Sequence, residues 1–124
     1  MLRRMIIFFF SIFILSACGT TEIAGDPADT VEQYIEAKTS GNADVIGQLL
    51  CSQMEADLAR EARSFASVEA HIEEMICTRV GDSDVVRCDG KIVATYGLED
   101  RDFPLSSYRV VQEDGEWRWC GEAE

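Results

Sequence analysis

Tyr108-Arg109-Val110-Val111-Gln112-Glu113-Asp114-Gly115-Glu116-Trp117-Arg118-Trp119-Cys120 brings two apolar runs together around an Asp-Gly pair, close to the end of the chain. Asp-Gly tolerates the positive φ angles of a tight hairpin turn, so the segment predicts two antiparallel strands, Tyr108 to Gln112 and Trp117 to Gly121. Alternation then sets Trp117 and Trp119 on one face with Val110 and Tyr108. Arg118 and Cys120 fall on the other with Arg109 and Val111. By apolar content the tryptophan face should meet the rest of the core, whereas a bridged Cys120 should itself point inward. Either Cys120 lies past the strand end, where the chain can turn, or the tryptophans form an exposed aromatic face. The first is preferred.

Upstream, Glu74 to Val80 and Val85 to Tyr96 are rich in β-branched residues and flank Gly81-Asp82-Ser83-Asp84, a connection made of turn formers. Asp89-Gly90 reads as a bulge in the longer strand. Leu98 to Pro104 reads as a charged, solvated loop. Before His71 the period changes from two to between three and four. Asp26 caps a helix with Pro27 at its first position and Val31, Tyr34, Ile35 and Lys38 along one face, the Lys38 stem lying over apolar neighbours. Gly41 ends this helix. Asn42 caps a second, with Val45, Ile46, Leu49 and Leu50 inward and Cys51 at its end. Met54, Leu58, Ala62 and Phe65 continue the period and predict a third helix to about Phe65. Helices followed by strands give an α+β domain, two or three N-terminal helices packed on a four-stranded antiparallel sheet.

The first 18 residues carry a different message. Arg3 and Arg4 precede an almost wholly apolar run, Met5 to Leu15, which is shorter than the ~20 residues a spanning helix needs and matches the apolar region of a signal peptide. Leu15-Ser16-Ala17-Cys18 resembles a bacterial lipobox. That resemblance implies removal of residues 1–17, lipid on the Cys18 thiol, a polar tether over residues 18–25, and a domain over 26–124. The domain would then stand outside the cytoplasm, held to the cell membrane or outer membrane. Two or more acyl chains hold a protein there stably, where one does not.

Removal of Arg3 and Arg4 with the leader leaves nine basic residues against 23 acidic ones, a net charge of −14 on 107 residues. Such a chain repels phosphates, which argues against nucleic acid as a partner, and its spread-out acids describe a self-repelling soluble surface. Four cysteines remain after Cys18. None forms a close pair and His71 is the one histidine, so a zinc site is not expected, and an even count outside the cytoplasm reads as disulfides. Four cysteines allow three pairings. If Val80 faces Val85 across the first hairpin, Cys77 faces Cys88, which leaves Cys51 with Cys120.

The order of elements resembles the cystatin-like or NTF2-like α+β fold. The resemblance rests on Asp26-Pro27-Ala28-Asp29-Thr30-Val31-Glu32-Gln33-Tyr34, on Gly41-Asn42-Ala43-Asp44 leading to Leu49-Leu50-Cys51, and on the closing hairpin ending Trp117-Arg118-Trp119-Cys120. It implies a bacterial envelope lipoprotein with a small secreted domain, and it makes a helix-end cysteine and a last-strand cysteine plausible partners. The fold serves enzymes, binding pockets and assembly modules alike, so it carries no function by itself.

For chemistry, no nucleophile elbow, dinucleotide-binding or phosphate-loop motif is present, so no cofactor is expected. His71, with Glu69, Glu73 and Glu74 nearby, is the one acid–base candidate. The Leu98 to Asp102 run lacks the spaced ligands of a calcium loop. Tyr34, Phe65, Tyr96, Phe103, Tyr108, Trp117 and Trp119 supply core bulk, with Tyr108, Trp117 and Trp119 as possible binding residues for a small apolar ligand or an envelope protein. The expectation is a non-catalytic binding or interaction domain, with an enzyme using His71 and nearby carboxylates as the alternative.

Overall fold

The computed structural model describes residues 25–124, in which helices precede a single antiparallel sheet. The lipidation site expected at Cys18 and the segment before it lie outside the described residues. Helix α1 spans Pro27–Ser40; the Asp26 carboxylate accepts from the Ala28 N–H at 2.9 Å, and Gly41, at φ 70°, closes it in the left-handed conformation. Helix α2, Ala43–Leu49, is capped by Asn42, whose side chain accepts from the Val45 N–H. The expected third helix is broken. A 3-10 segment covers Ser52–Asp57 and α3 covers only Leu58–Ala62. Past α3 the Ser64 hydroxyl bonds the Glu61 carbonyl at 2.9 Å, competing with helical hydrogen bonds, and Ser67 takes a φ of 67° that no helix continues.

Five strands follow, not the four expected: β1 Glu69–Arg79, β2 Val85–Tyr96, β3 Glu99–Pro104, β4 Ser107–Glu113 and β5 Glu116–Glu122. The extra one, β3, occupies the stretch read as a charged loop. Its residues do not alternate, so no periodicity marks it. It is a strand because β2 is long enough to hold β1 along one edge and, along the other, β4 in its first half and β3 in its second. Side chains reinforce the pairing at the rim, with Thr95 donating to Asp100 at 2.7 Å and Lys91 to Asp102 at 2.8 Å. Strand β1 also starts five residues earlier than predicted, which places His71 inside it.

Two bulges bend this sheet. In the first, Glu74 and Met75 of β1 face Gly90 of β2 alone, so the extra residue belongs to β1 and not to the longer strand. Gly90 has φ 99°, and a Cβ there would lie 2.6 Å from the carbonyl oxygens of both Glu73 and Glu74. In the second, Cys120 and Gly121 of β5 face Arg109 alone. This settles the conflict over the two faces of the last hairpin. Cys120 is not past the strand end; the bulge re-aims it within β5, and both tryptophans stay buried on the inner face with Tyr108 and Val110.

Segment 50–51 lies against the outer edge of β5, with Leu50 bridging Trp119 and the Cys51 N–H bonding the Trp119 carbonyl at 2.9 Å. There Cys51 is bridged to Cys120, and Cys77 to Cys88 across the first hairpin. Bridges of this kind persist in oxidising compartments. The core lies between α1, α2 and the inner face of the sheet, around Val31, Tyr34, Ile46, Val86, Val110 and Trp119. Among the described residues no helix is long and apolar enough to cross a membrane.

Candidate ligand cavity

Where the bent sheet opens away from α1, a cavity of about 440 Å³ remains between α1, α3 and the inner face of β3, β4 and β5. The volume falls in the ordinary range for small-molecule sites. Five aromatic side chains line it. Tyr34 of α1 stacks on Trp119 with centroids 3.8 Å apart and planes within 10° of parallel. Tyr108 lies 6.1 Å from Trp119, and Phe65 meets Phe103 edge-on at 5.6 Å near the mouth. The indole Nε1–H of Trp119 is buried without an acceptor among the described residues.

A carboxylate sits among these rings. Glu61 of α3 is only 7% exposed, and its Oε2 accepts from the Tyr34 hydroxyl at 2.5 Å and pairs with Lys38 Nζ at 3.0 Å. Its other oxygen, Oε1, meets the Arg60 guanidinium at 4.0 Å, beyond hydrogen-bond range. Burial pushes the Glu61 carboxyl up, but the Tyr34 and Lys38 hydrogen bonds and the Lys38 and Arg60 charges outweigh it, and Glu61 ends below its ordinary value. Burial, then the bond to Glu61, pushes the Tyr34 phenol far above its ordinary range. Burial also raises Tyr108. The cavity therefore holds neutral phenols and an ionised carboxylate. The Lys38 ammonium is also 6.0 Å from the Trp119 ring centroid, within cation–π range.

Of the residues singled out in the sequence, Tyr108 and Trp119 come together here and Trp117 does not. Trp117 is buried at the other end of the sheet, beneath the Arg79 guanidinium at 5.0 Å. Tyr96 also lies elsewhere, on the outer sheet rim under Arg101. His71 opens onto a separate, broader cleft of about 860 Å³ lined mostly by small residues. Its Nε2 is 3.2 Å from Glu73 Oε1, and the His71 side chain is 60% exposed. Glu61 was not among the residues singled out in the sequence. Its position, three after Leu58 and four before Phe65 on the apolar face, was the available signal. Asp102, read as part of a loop, lines the mouth because β3 is a strand. Among the described residues no cluster of three or more His, Cys, Asp or Glu is arranged to hold a metal ion. No family model matches the chain, and no curated protein matches it.

Proposed function

We propose that this is a lipid-anchored bacterial envelope protein whose domain, of cystatin-like or NTF2-like architecture, binds a small molecule without transforming it. The observation that carries the binding reading is the aromatic-walled cavity at the open end of the sheet, with a buried carboxylate inside it. Rigid aromatic walls bury apolar ligand surface, and a few polar groups among them give orientation. Helices laid across one face of a bent antiparallel sheet support the architecture, and the lipobox-like Leu15-Ser16-Ala17-Cys18 supports the anchor. The two disulfides fit a domain outside the cytoplasm.

Intact-mass and native mass spectrometry of the chain isolated from bacterial membranes test both halves. The expected chain begins at Cys18 with added acyl groups and gains about four hydrogens on reduction. A small molecule should stay bound under native conditions and leave on denaturation. A mass retaining residues 1–17 without lipid would overturn the anchor.

One observation favours an enzyme instead, the pairing of His71 with Glu73 at the rim of the broader cleft. It ranks second because both side chains are well exposed, where water screens them. Turnover lost on His71→Ala would reverse that order.

A further inference from the structure

Lys38 shows how the aromatic cavity treats an ammonium. Its Nζ takes one oxygen of Glu61 at 3.0 Å and stands 6.0 Å from the Trp119 ring, while among the described residues Glu61 Oε1 is left with no donor closer than the 4.0 Å guanidinium. Of the side chains lining the cavity, Glu61, Asp102 and Glu122 are carboxylates and Lys38 is an ammonium; Asp102 is already paired with Lys91 at 2.8 Å, so Glu61 and Glu122 are the carboxylates that bear on a further charge. A buried carboxylate is a strong acceptor because little water competes for it, and aromatic faces add cation–π attraction. An anion would meet the Glu61 and Glu122 carboxylates here. An ammonium with an apolar body would reach Glu61 Oε1 with its head and lay the body against Phe103, itself 39% exposed at the mouth.

We propose that the ligand of this cavity is a small organic cation, a protonated amine carrying an apolar or aromatic group, held by Glu61 and the aromatic walls. The inference rests on the reading of the cavity as a binding site and adds the chemical class of its ligand. The overall acidity of the chain, −12, also draws cations toward the mouth.

Three probes that share one phenethyl body separate the possibilities: phenethylammonium, phenethyl alcohol and hydrocinnamate. They are titrated calorimetrically into the full chain in mild detergent, with titrations into detergent alone subtracted. Phenethylammonium should bind about tenfold more tightly than the alcohol, the difference a desolvated charge-assisted contact makes, and hydrocinnamate should bind most weakly. Glu61→Gln should bring the ammonium and alcohol affinities together. Lys38→Met, which removes the competing ammonium, should tighten phenethylammonium binding severalfold, a gain that a misfolded variant cannot mimic. Equal binding of the ammonium and the alcohol, or weaker ammonium binding in Lys38→Met, overturns the cation proposal and leaves the binding reading standing. Heat for none of the three overturns both.

Discussion

The Tyr34 hydroxyl donates to the Glu61 carboxylate at 2.5 Å, linking α1 to α3 through two residues that are 27 positions apart in the chain. Neither partner is tolerable there alone. A buried carboxylate needs donors and a buried phenol needs an acceptor, and each meets the other's need inside a cavity wall. The same bond holds the Tyr34 ring flat against Trp119, so the polar pair and the aromatic wall are one unit.

Tyr34→Phe should therefore cost about 1.5–3 kcal/mol in urea denaturation, the range for a hydrogen bond to a charged group. In a double-mutant cycle with Glu61→Gln, the two costs should fail to add by about 1 kcal/mol or more. Additive costs would show that the pair is not coupled.

Acid should weaken the fold partly through Glu61. Its folded carboxyl lies below the ordinary 4.5, whereas the unfolded chain keeps the ordinary value. The unfolded state then binds more protons, so this contribution is complete above 4.5 and disappears as pH falls through the lower, folded value. Tyr34 acts at the alkaline end. Its folded phenol stays protonated above the ordinary 10.0, so stability falls as pH rises beyond that point. Stability curves of the parent and Glu61→Gln should converge on acidification. Parallel curves would remove Glu61 from the account.

Gly90→Ala should destabilise by about 3 kcal/mol or more, since the new Cβ meets two carbonyl oxygens at 2.6 Å and the backbone holds φ 99°. Gly115→Ala is the control. Its φ is 77° but nothing lies within 4 Å, so left-handed strain of about 1 kcal/mol is all that is expected. Similar losses at the two sites would mean that β1 does not approach Gly90 so closely.

The two bridges should differ in worth. Cys51 and Cys120 are separated by 69 positions and Cys77 and Cys88 by 11. Loop-closure entropy then predicts about 4 kcal/mol lost for the double alanine variant of the first pair and about 3 kcal/mol for the second. Chemical denaturation of the two variants compares them directly, and a larger loss for the short loop would contradict the entropic account.

The residues alone were enough wherever the controlling interactions are local. Asp26, Gly41 and Asn42 delimit α1 and α2 because a cap acts within three or four residues. Gly81-Asp82-Ser83-Asp84 and Asp114-Gly115 set two hairpins because a turn selects its own register, and the first register sets Cys77 opposite Cys88. Tertiary structure decided what depends on distant partners. Glu99–Pro104 has no strand pattern of its own and becomes β3 because the second half of β2 offers an unpaired edge. α3 stops at Ala62 although its apolar period runs on to Phe65, because the Ser64 hydroxyl takes the Glu61 carbonyl and Ser67 turns to a φ of 67°. Cys120 and Trp119, neighbours that strict alternation would send to opposite faces, are both buried because a bulge at Gly121 adds a residue to β5. Glu61, marked in the chain only by its place on the apolar face of α3, joins the cavity wall once folding sets it beside Tyr34 and Lys38, since a buried charge takes its meaning from the donors around it.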